Sequence, residues 1–371
     1  MIDKLITSGC IKIGKWKLKN GEISKYYFDM KNIISNPILL KNIGDKLYNL
    51  LDDFDIICGI PYGGLPIATY ISTKYNKPLI YVRDKLKSYG TQKFIEGEYK
   101  STDRCVIIDD VMTSGNSLQK TINIMQDKVN IVDVGVIINR QENPQCSLPV
   151  KSVFYKTDVV KYRLKKISNF KKSNLCFAAD IENPTKLLNI LDKIGKYIVV
   201  CKIHYDIINI DSYEGIFKEE LINLSIKHNF LIMEDRKLVD ISYIVNKQYS
   251  QFRNWVDLVT VHSSVSTEVI SKLSGVLLVV NMSNNTYDFS QKAIKLAEEN
   301  LNNMVGFITQ NRITFGDLVC MTPGISLHTS NVDDQKYRNI SEVDTDYIIV
   351  GRDLYNSKNI EKTITLYRKL N

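Results

Sequence analysis

The sequence predicts an α/β protein in two parts, in which a mostly parallel sheet flanked by helices is followed by a (β/α)8 barrel. In the first part, short apolar runs lead into turns that open helical segments, which is the order of elements in a parallel sheet. In the second part, eight apolar runs of strand length recur, and segments with helical spacing separate most of them. The length of 371 residues is sufficient for two such cores.

A basic segment marks the predicted boundary between the two parts. Residues 159–176 contain six lysines and arginines and no acidic residue. We therefore predict a first domain over residues 1–160, a short basic linker over 161–174 and the barrel over 175–371.

The charge of the chain favours a small anionic substrate over a nucleic acid. The net charge is +8, the basic residues are dispersed, and no zinc-finger or aromatic ribonucleoprotein motif occurs. The seven cysteines are scattered without a C-x-x-C pair, which predicts reduced, mostly buried thiols and no metal site. The sequence contains no apolar run of about eighteen residues and no secretory signal pattern, so we expect a cytoplasmic protein without a membrane partner.

The first elements are a hairpin and a helix. Asn20-Gly21 lies between two short apolar stretches and predicts a tight turn between strands. The aromatic residues Tyr27 and Phe28 follow, and on their own such residues are more typical of a core than of a binding site. A helix is predicted from 37 to 51.

The next strand, over 55–60, runs into a glycine-containing turn and a helix. Tyr62 and Gly63 lie in this turn, where glycine lets backbone amides approach a phosphate at a helix N-terminus. After a further strand at 78–82, residues 83–90 are polar and charged without a clear period, which predicts an exposed loop.

Residues 105–117 form the most informative segment of the first part. An apolar strand ends in two acids, and hydroxyl groups and a glycine then open a helix. Acids at a strand tip can hold ribose hydroxyls and offset a developing ribosyl cation, while amides and hydroxyls suit a 5'-phosphate. The candidate residues are Asp109, Asp110, Thr113, Ser114, Gly115 and Ser117.

The barrel is predicted from runs at 175–177, 197–201, 230–233, 256–261, 276–280, 304–308, 318–321 and 347–350. The chemistry of such a barrel belongs at the carboxyl ends of its strands. Charged residues follow the first three strands at these ends, and a buried strand tolerates them only when they are paired. They are Asp180, Lys202, His204, Asp235, Lys237 and Asp240.

Two motifs carry a resemblance to a known family. Residues 235–240 match D-x-K-x-x-D, and with the preceding Phe-Leu-Ile-Met-Glu they resemble the orotidine 5'-monophosphate decarboxylase part of animal UMP synthases. Residues 105–117 resemble the phosphoribosyl-pyrophosphate (PRPP) motif of type I phosphoribosyltransferases. The chain therefore resembles the bifunctional UMP synthase family, in which orotate phosphoribosyltransferase is fused to this decarboxylase. The resemblance implies a type I phosphoribosyltransferase fold for the first domain.

In the first domain, the resemblance implies a set of substrate-binding residues around orotate and PRPP. Arg140 would grip the orotate carboxylate, and Lys87 would stabilise charge on the leaving pyrophosphate from a mobile loop at 83–90. Asp84 departs from the loop pattern of the family. The other implied residues are Lys19, Tyr27, Phe28, Tyr62, Gly63, Arg83 and Tyr89.

In the barrel, the resemblance implies a charged tetrad of Lys202, Asp235, Lys237 and Asp240, with Asp240 reaching into the site of a partner subunit. Asp180 and His204 would support the tetrad. A serine that reads the pyrimidine and three phosphate-binding residues complete the implied site, namely Ser283, Gln335, Tyr337 and Arg352. Ala178 and Ile244 are departures from the animal enzymes.

The implied function is the conversion of orotate and PRPP, with Mg2+, to orotidine 5'-monophosphate and pyrophosphate, followed by decarboxylation to UMP without a cofactor. A homodimer with shared sites is implied as well. The short linker suggests that the barrel floor is less covered than in the animal fusion. Two alternatives remain open: one domain is a degenerate scaffold or nucleotide sensor, or the first domain uses another base.

Overall fold

The computed structural model describes residues 1–18, 21–83, 94–140, 146–210, 214–283, 287–327 and 336–369. The chain forms two compact units. The first contains residues 1–12 and 27–156, and the second contains residues 13–26 and 157–371. All seven cysteines are free thiols, and six of them are buried. No helix within the described ranges is both long enough and apolar enough to cross a membrane.

The first unit is built on a six-stranded sheet with helices. The strands are β3 (Ile56–Gly59), β4 (Leu79–Val82), β5 (Ile95–Glu96), β6 (Arg104–Met112), β7 (Asn130–Asn139) and β8 (Lys151–Tyr155). Their order is β5-β4-β3-β6-β7-β8, and all neighbours are parallel except β4 and β5. The helices are α1 (Ile2–Thr7), α2 (Pro37–Leu50), α3 (Gly64–Tyr75) and α4 (Asn116–Met125). The predicted mostly parallel sheet is confirmed.

An N-terminal hairpin pairs β1 (Ile11–Lys17) with β2 (Ile23–Phe28). Its residues 13–26 group with the barrel, whereas the predicted division places them in the first domain. Lys25 and Tyr26 are buried and both bind the buried carboxylate of Asp257, which explains the grouping.

The second unit is a closed barrel of eight parallel strands, as predicted. Neighbouring strands pair in the order β10-β11-β12-β13-β14-β15-β18-β9. The strands are β9 (Leu175–Ala178), β10 (Val200–Ile203), β11 (Leu231–Leu238), β12 (Leu258–His262), β13 (Val276–Val279), β14 (Met304–Ile308), β15 (Val319–Thr322) and β18 (Tyr347–Val350). The short strands β16 (Ile325–Ser326) and β17 (Arg338–Asn339) pair separately. The helices are α5 (Lys156–Lys171), α6 (Pro184–Ile194), α7 (Glu214–Lys227), α8 (Ser242–Ser250), α9 (Thr267–Ile270), α10 (Ser290–Glu299), α11 (Arg352–Tyr355) and α12 (Ile360–Lys369).

Side chains of the barrel strands alternate between two buried clusters. In β13, for example, Leu277 and Val279 belong to the interior cluster, whereas Val276 and Leu278 belong to the outer cluster beneath the helices. A residue two positions beyond an interior residue therefore points into the barrel mouth when the strand direction continues.

Helix α5 occupies most of the segment predicted as a basic linker. Its Val160, Leu164 and Ile167 belong to the interior cluster of the barrel. Lys171 donates to the carbonyls of Gly195 and Ile198, just before β10, so the helix lies at the amino end of the strands. An apolar face of α5 therefore lies among the lysines and covers the amino end of the barrel.

Candidate functional site

A cavity of about 210 Å³ opens at the carboxyl ends of the barrel strands. The alternation of the strands explains why residues in or just after β9, β10, β11 and β13 reach it, because they continue the interior series of those strands, whereas Tyr337 and Arg352 do not belong to such a series. The cavity brings together eight of the residues singled out from the sequence. They are Asp180, Lys202, His204, Asp235, Lys237, Ser283, Tyr337 and Arg352. Ala178 also lines it.

Five of these residues form a connected charge cluster, which we call the mouth cluster: Asp180, Lys202, His204, Asp235 and Lys237. The ammonium groups of Lys202 and Lys237 each lie 2.9 Å from Oδ2 of Asp235. Lys202 also lies 3.1 Å from Oδ1 of Asp180 and 2.9 Å from Nε2 of His204. One carboxylate is thus held between two lysines, and one of these lysines is shared with a second carboxylate.

The electrostatics of the cluster keep its central pair charged. Burial alone would lower the pKa of Lys202, but the carboxylates of Asp235 and Asp180 outweigh it and hold this pKa above its ordinary value. Burial would likewise raise the pKa of Asp235, but Lys202, His204 and Lys237 hold it well below the usual range. The side chain of Asp235 is 10% exposed, whereas that of Lys237 is 34% exposed. The cluster can therefore present a fixed pattern of charge to a ligand in a partly enclosed space.

Thr260 supports this geometry and was not identified from the sequence. Its hydroxyl donates to Oδ1 of Asp235 at 2.8 Å and accepts the backbone N–H of Lys237 at 2.9 Å. It is fully buried, and it is the residue of the interior series that follows Leu258 in β12. It could have been found in the sequence as a hydroxyl residue at an inward-facing position near the end of a strand.

Other predicted residues lie elsewhere. Asp240 is exposed and does not line the cavity, and its carboxylate accepts the backbone N–H of Ile241 at 2.7 Å. Ile244, one of the departures, is half-buried in α8. Four predicted residues and the departure at Asp84 fall outside the described residues. The four are Lys19, Lys87, Tyr89 and Gln335.

In the first unit, the acid pair lies near the carboxyl end of β6, two residues before Met112, and against the glycine turn. A Cβ added to Gly63 would lie 2.2 Å from the carboxylate of Asp110, and one added to Gly64 would lie 2.3 Å from the carbonyl oxygen of Ile108. At Gly64 the neighbouring atom is backbone, so only glycine allows this approach there. Asp109 is buried, and burial together with the charge of Asp110 raises its pKa well above the ordinary value.

The turn after the acid pair leads directly into α4. Gly115 precedes the helix with φ +78°, a left-handed conformation that favours glycine. Thr113 and Ser114 are half-buried, whereas Ser117 is exposed in the first turn of the helix. Backbone amides at this helix start therefore lie beside the acid pair, which is an arrangement suited to a phosphate.

The aromatic and basic candidates of the first unit are partly brought together. The guanidinium carbon of the buried Arg140 lies 5.6 Å from the ring centroid of Phe28. Tyr27 is 40% exposed, with the ammonium of Lys12 at 5.7 Å from its ring centroid. Arg83 is paired with Glu96 at 2.7 Å. Tyr62 is largely exposed.

Comparison with known proteins gives matches over both units. Residues 173–367 match the family described as Orotidine 5'-phosphate decarboxylase / HUMPS family, and residues 29–166 match the Phosphoribosyl transferase domain. The chain is similar to the uridine 5'-monophosphate synthase of Bos taurus, with 29% identity over 96% of this chain and 93% of the relative.

Relatives of each unit alone are more similar in sequence. The orotate phosphoribosyltransferase of Methanocaldococcus jannaschii is 39% identical over 41% of this chain and 88% of its own length. The orotidine 5'-phosphate decarboxylase of Pichia kudriavzevii is 37% identical over 54% of this chain and 86% of its own length.

Proposed function

The chain belongs to the orotidine 5'-phosphate decarboxylase / HUMPS family through residues 173–367 and to the orotate phosphoribosyltransferases through its N-terminal part, and from this premise we propose how its two sites work. The chain is an enzyme of UMP biosynthesis with both activities. The first joins orotate to PRPP and yields orotidylate and pyrophosphate. The second removes the carboxylate of orotidylate and yields UMP.

In the first reaction, the acid pair Asp109 and Asp110 binds the ribose hydroxyls and offsets positive charge at the anomeric carbon as pyrophosphate leaves. The amides around Gly115 bind the 5'-phosphate at the start of α4. Arg140 grips the orotate carboxylate, since a guanidinium can bind a carboxylate at two points. The position of the Arg140 guanidinium, 5.6 Å from the ring centroid of Phe28, supports this role because it places the guanidinium beside an aromatic candidate of the same site.

Asp109 and Asp110 would hold Mg2+ together with PRPP in this site. The acid pair fits it, because Mg2+ takes hard oxygen ligands such as carboxylates and hydroxyls. When bound, the ion would neutralise charge on the pyrophosphate.

In the second reaction, the residues of the mouth cluster catalyse the decarboxylation. The main support for this role is the position of Asp235, whose Oδ2 lies 2.9 Å from the ammonium groups of both Lys202 and Lys237. The C6 carboxylate of orotidylate binds beside Asp235. Two like charges about 4 Å apart repel by roughly 1 kcal/mol in water and by about 4 kcal/mol at an effective dielectric of about 20. The C6–carboxylate bond breaks, CO2 leaves, and the electron pair remains on C6.

Lys237 stabilises that carbanion and then gives it a proton, so that UMP is formed. The lysine is suited to this role because it is more exposed to the cavity than Lys202. Lys202 stays bound to two carboxylates and keeps Asp235 in place. No cofactor takes part in these steps.

The phosphate of orotidylate binds on the other side of the mouth, at Tyr337 and Arg352, where barrels of this type commonly hold that group. Ser283 binds the pyrimidine ring. Ile244 supplies no hydroxyl to the ribose, and the loss of one neutral hydrogen bond would cost about 1 kcal/mol of substrate binding.

The exposed Asp240 completes the site of a partner subunit in a homodimer. Its apolar neighbours Val239, Ile241 and Tyr243 are 58%, 68% and 63% exposed, which supports an interface at this end of the barrel. Sedimentation of the full chain should give a dimer. A monomer with full decarboxylase activity would contradict this assignment.

The proposed function is tested by giving the purified chain orotate, PRPP and Mg2+ and following both products. The wild-type chain should form UMP, and Lys237→Ala should stop at orotidylate with orotate consumption unchanged. Lys193→Ala, on the exposed face of α6, is the matched control and should behave as wild type. Uracil, hypoxanthine or adenine accepted in place of orotate, or UMP formed by Lys237→Ala, would overturn the corresponding assignment.

A further inference from the structure

Asn281 lies in the barrel mouth at a position that the proposed reaction does not yet use. In β13, the interior residues are Leu277 and Val279, and Asn281 is the next in this series. It is 6% exposed and lines the same cavity as the mouth cluster.

The orientation of its amide is fixed by a neighbouring strand. The backbone N–H of Gln310 donates to Oδ1 of Asn281 at 2.6 Å, so this atom must be the oxygen. Gln310 is itself held in place, because its side chain donates to the carbonyl of Pro323 at 3.2 Å and its carbonyl accepts from Arg338 at 2.6 Å.

The amide nitrogen is therefore directed away from Gln310. Among the described residues, Nδ2 of Asn281 has no acceptor within hydrogen-bonding distance, whereas Oδ1 accepts from Gln310 and lies 3.3 Å from the hydroxyl oxygen of Thr309. Because Asn281 lines the cavity, its two N–H groups are available to a ligand bound there. A fixed donor at such a place serves a ligand acceptor, because a buried donor without one is costly.

The order of the strands indicates which part of the ligand Asn281 meets. The reacting carboxylate lies at β10 and β11, and the candidate phosphate residues Tyr337 and Arg352 lie near β15 and β18. Strand β13 lies between these two sides in the barrel. The hydrogen-bond acceptors of the pyrimidine ring are its two exocyclic carbonyl oxygens.

We propose that Asn281 donates a hydrogen bond from Nδ2 to an exocyclic carbonyl oxygen of the pyrimidine ring of orotidylate. Asn281 is thus a specificity-determining residue for the decarboxylation, in addition to Ser283. The assignment rests on the proposed function and names a further contact within the same site.

The test is Asn281→Asp, which keeps an oxygen to accept the N–H of Gln310 and replaces only the donor group. Binding of UMP and of ribose 5-phosphate, which lacks the base, is measured by calorimetry for each variant. UMP binding should weaken about 10-fold or more, because a carboxylate oxygen then faces a carbonyl oxygen. Ribose 5-phosphate binding should change much less.

The matched control is Asn311→Asp, which adds the same charge at an exposed neighbouring position and should leave the UMP preference unchanged. If Asn281→Asp does not fold, Asn281→Ala carries the same comparison with a smaller loss, of roughly fivefold. An Asn281 variant that is folded and binds UMP as wild type, or that weakens both ligands equally, overturns the proposal. A wild-type chain that binds neither ligand would overturn the proposed function itself.

Discussion

The barrel holds two charge clusters of similar composition at its opposite ends. The mouth cluster places Asp235 between Lys202 and Lys237. At the other end, Asp257 lies between Lys25 and Arg163 and also accepts from the hydroxyl of Tyr26. We call these four residues the base cluster.

The difference between them lies in closure. The side chains of Lys25 and Asp257 are fully buried, and Asp257 also accepts the backbone N–H of Ile232 at 2.7 Å. Lys25 donates as well to the hydroxyl of Ser225 at 2.8 Å. The base cluster thus has partners on every side, whereas the mouth cluster opens to a cavity.

The pKa values of Lys25 and Lys202 shift in opposite directions, because Lys25 shares one carboxylate with a guanidinium group whereas Lys202 contacts two carboxylates. Burial lowers the pKa of Lys25 to about 8 against the attraction of Asp257, while Asp235 and Asp180 together raise the pKa of Lys202. A closed ionic cluster orders the fold, and an open one remains available to a substrate. The base cluster therefore stabilises the fold at one end of the barrel, and the mouth cluster is available for catalysis at the other.

The largest effect on stability is expected from a variant that breaks the base cluster. Lys25→Met should lower the free energy of unfolding by about 3–5 kcal/mol, because Asp257 loses a buried cation. Lys15→Met is the matched control in the same hairpin. It removes a surface pair with Glu219 at 2.7 Å and should cost at most about 1 kcal/mol. Equal unfolding midpoints in urea for the two variants would contradict the structural role of the base cluster.

The next effect concerns the acid pair Asp109 and Asp110 of the first unit, where two carboxylates are adjacent in the sequence without a lysine between them. Asp110→Asn should slow phosphoribosyl transfer about 100-fold, because charge at the anomeric carbon is no longer offset. Decarboxylation of added orotidylate should be unchanged. Asp127→Asn, exposed in the same unit, should alter neither rate. Assays of the two half-reactions decide this, and an unaffected transfer rate in Asp110→Asn would refute the role.

A smaller effect concerns the support of the mouth cluster. Thr260→Val keeps the side-chain shape but removes the hydrogen bonds to Asp235 and Lys237. We expect kcat for decarboxylation to fall roughly fivefold, which corresponds to about 1 kcal/mol. Thr73→Val, exposed on α3, should leave it unchanged. A change in stability without a change in kcat would show that Thr260 only packs.

The most gradual effect is a dependence of stability on pH. Burial raises the pKa of Glu234, which accepts the backbone N–H of Tyr205, to about 8. The folded state therefore holds a proton that the unfolded state releases, and stability should fall as the pH rises from about 4.5 to 8. The slope is at most about 1.4 kcal/mol per pH unit. The thermal midpoint should therefore be lower at pH 8 than at pH 5, and Glu234→Gln should reduce this difference. A difference that is unchanged in Glu234→Gln would contradict the role of Glu234.

The barrel and most of the residues at its mouth could be predicted from the sequence. Strands that are buried on both faces appear in the sequence as continuous apolar runs, so all eight barrel strands could be found. Asp180, Lys202 and Asp235 could be placed at the mouth because each follows such a run. Thr260 was missed, because a single hydroxyl in a strand is not distinctive.

Long-range polar contacts could not be predicted in the same way. Lys25 and Asp257 are 232 positions apart, and a single ion pair leaves no periodic pattern in a sequence. The hairpin was therefore assigned to the first domain. Helix α5 did carry a signal in the spacing of Val160, Leu164 and Ile167, but the surrounding lysines concealed it.

The most direct measurement compares Asp235→Asn with Asp257→Asn, which make the same substitution at the two ends of one barrel. Each variant is given orotidylate at low temperature, and UMP formation is measured beside the thermal midpoint. Folded Asp235→Asn should lose decarboxylation by at least about 100-fold, while Asp257→Asn should lose stability and keep its turnover per folded molecule. Wild-type turnover in Asp235→Asn, or an equal loss of turnover in folded Asp257→Asn, would contradict the assignment of chemistry to the mouth cluster.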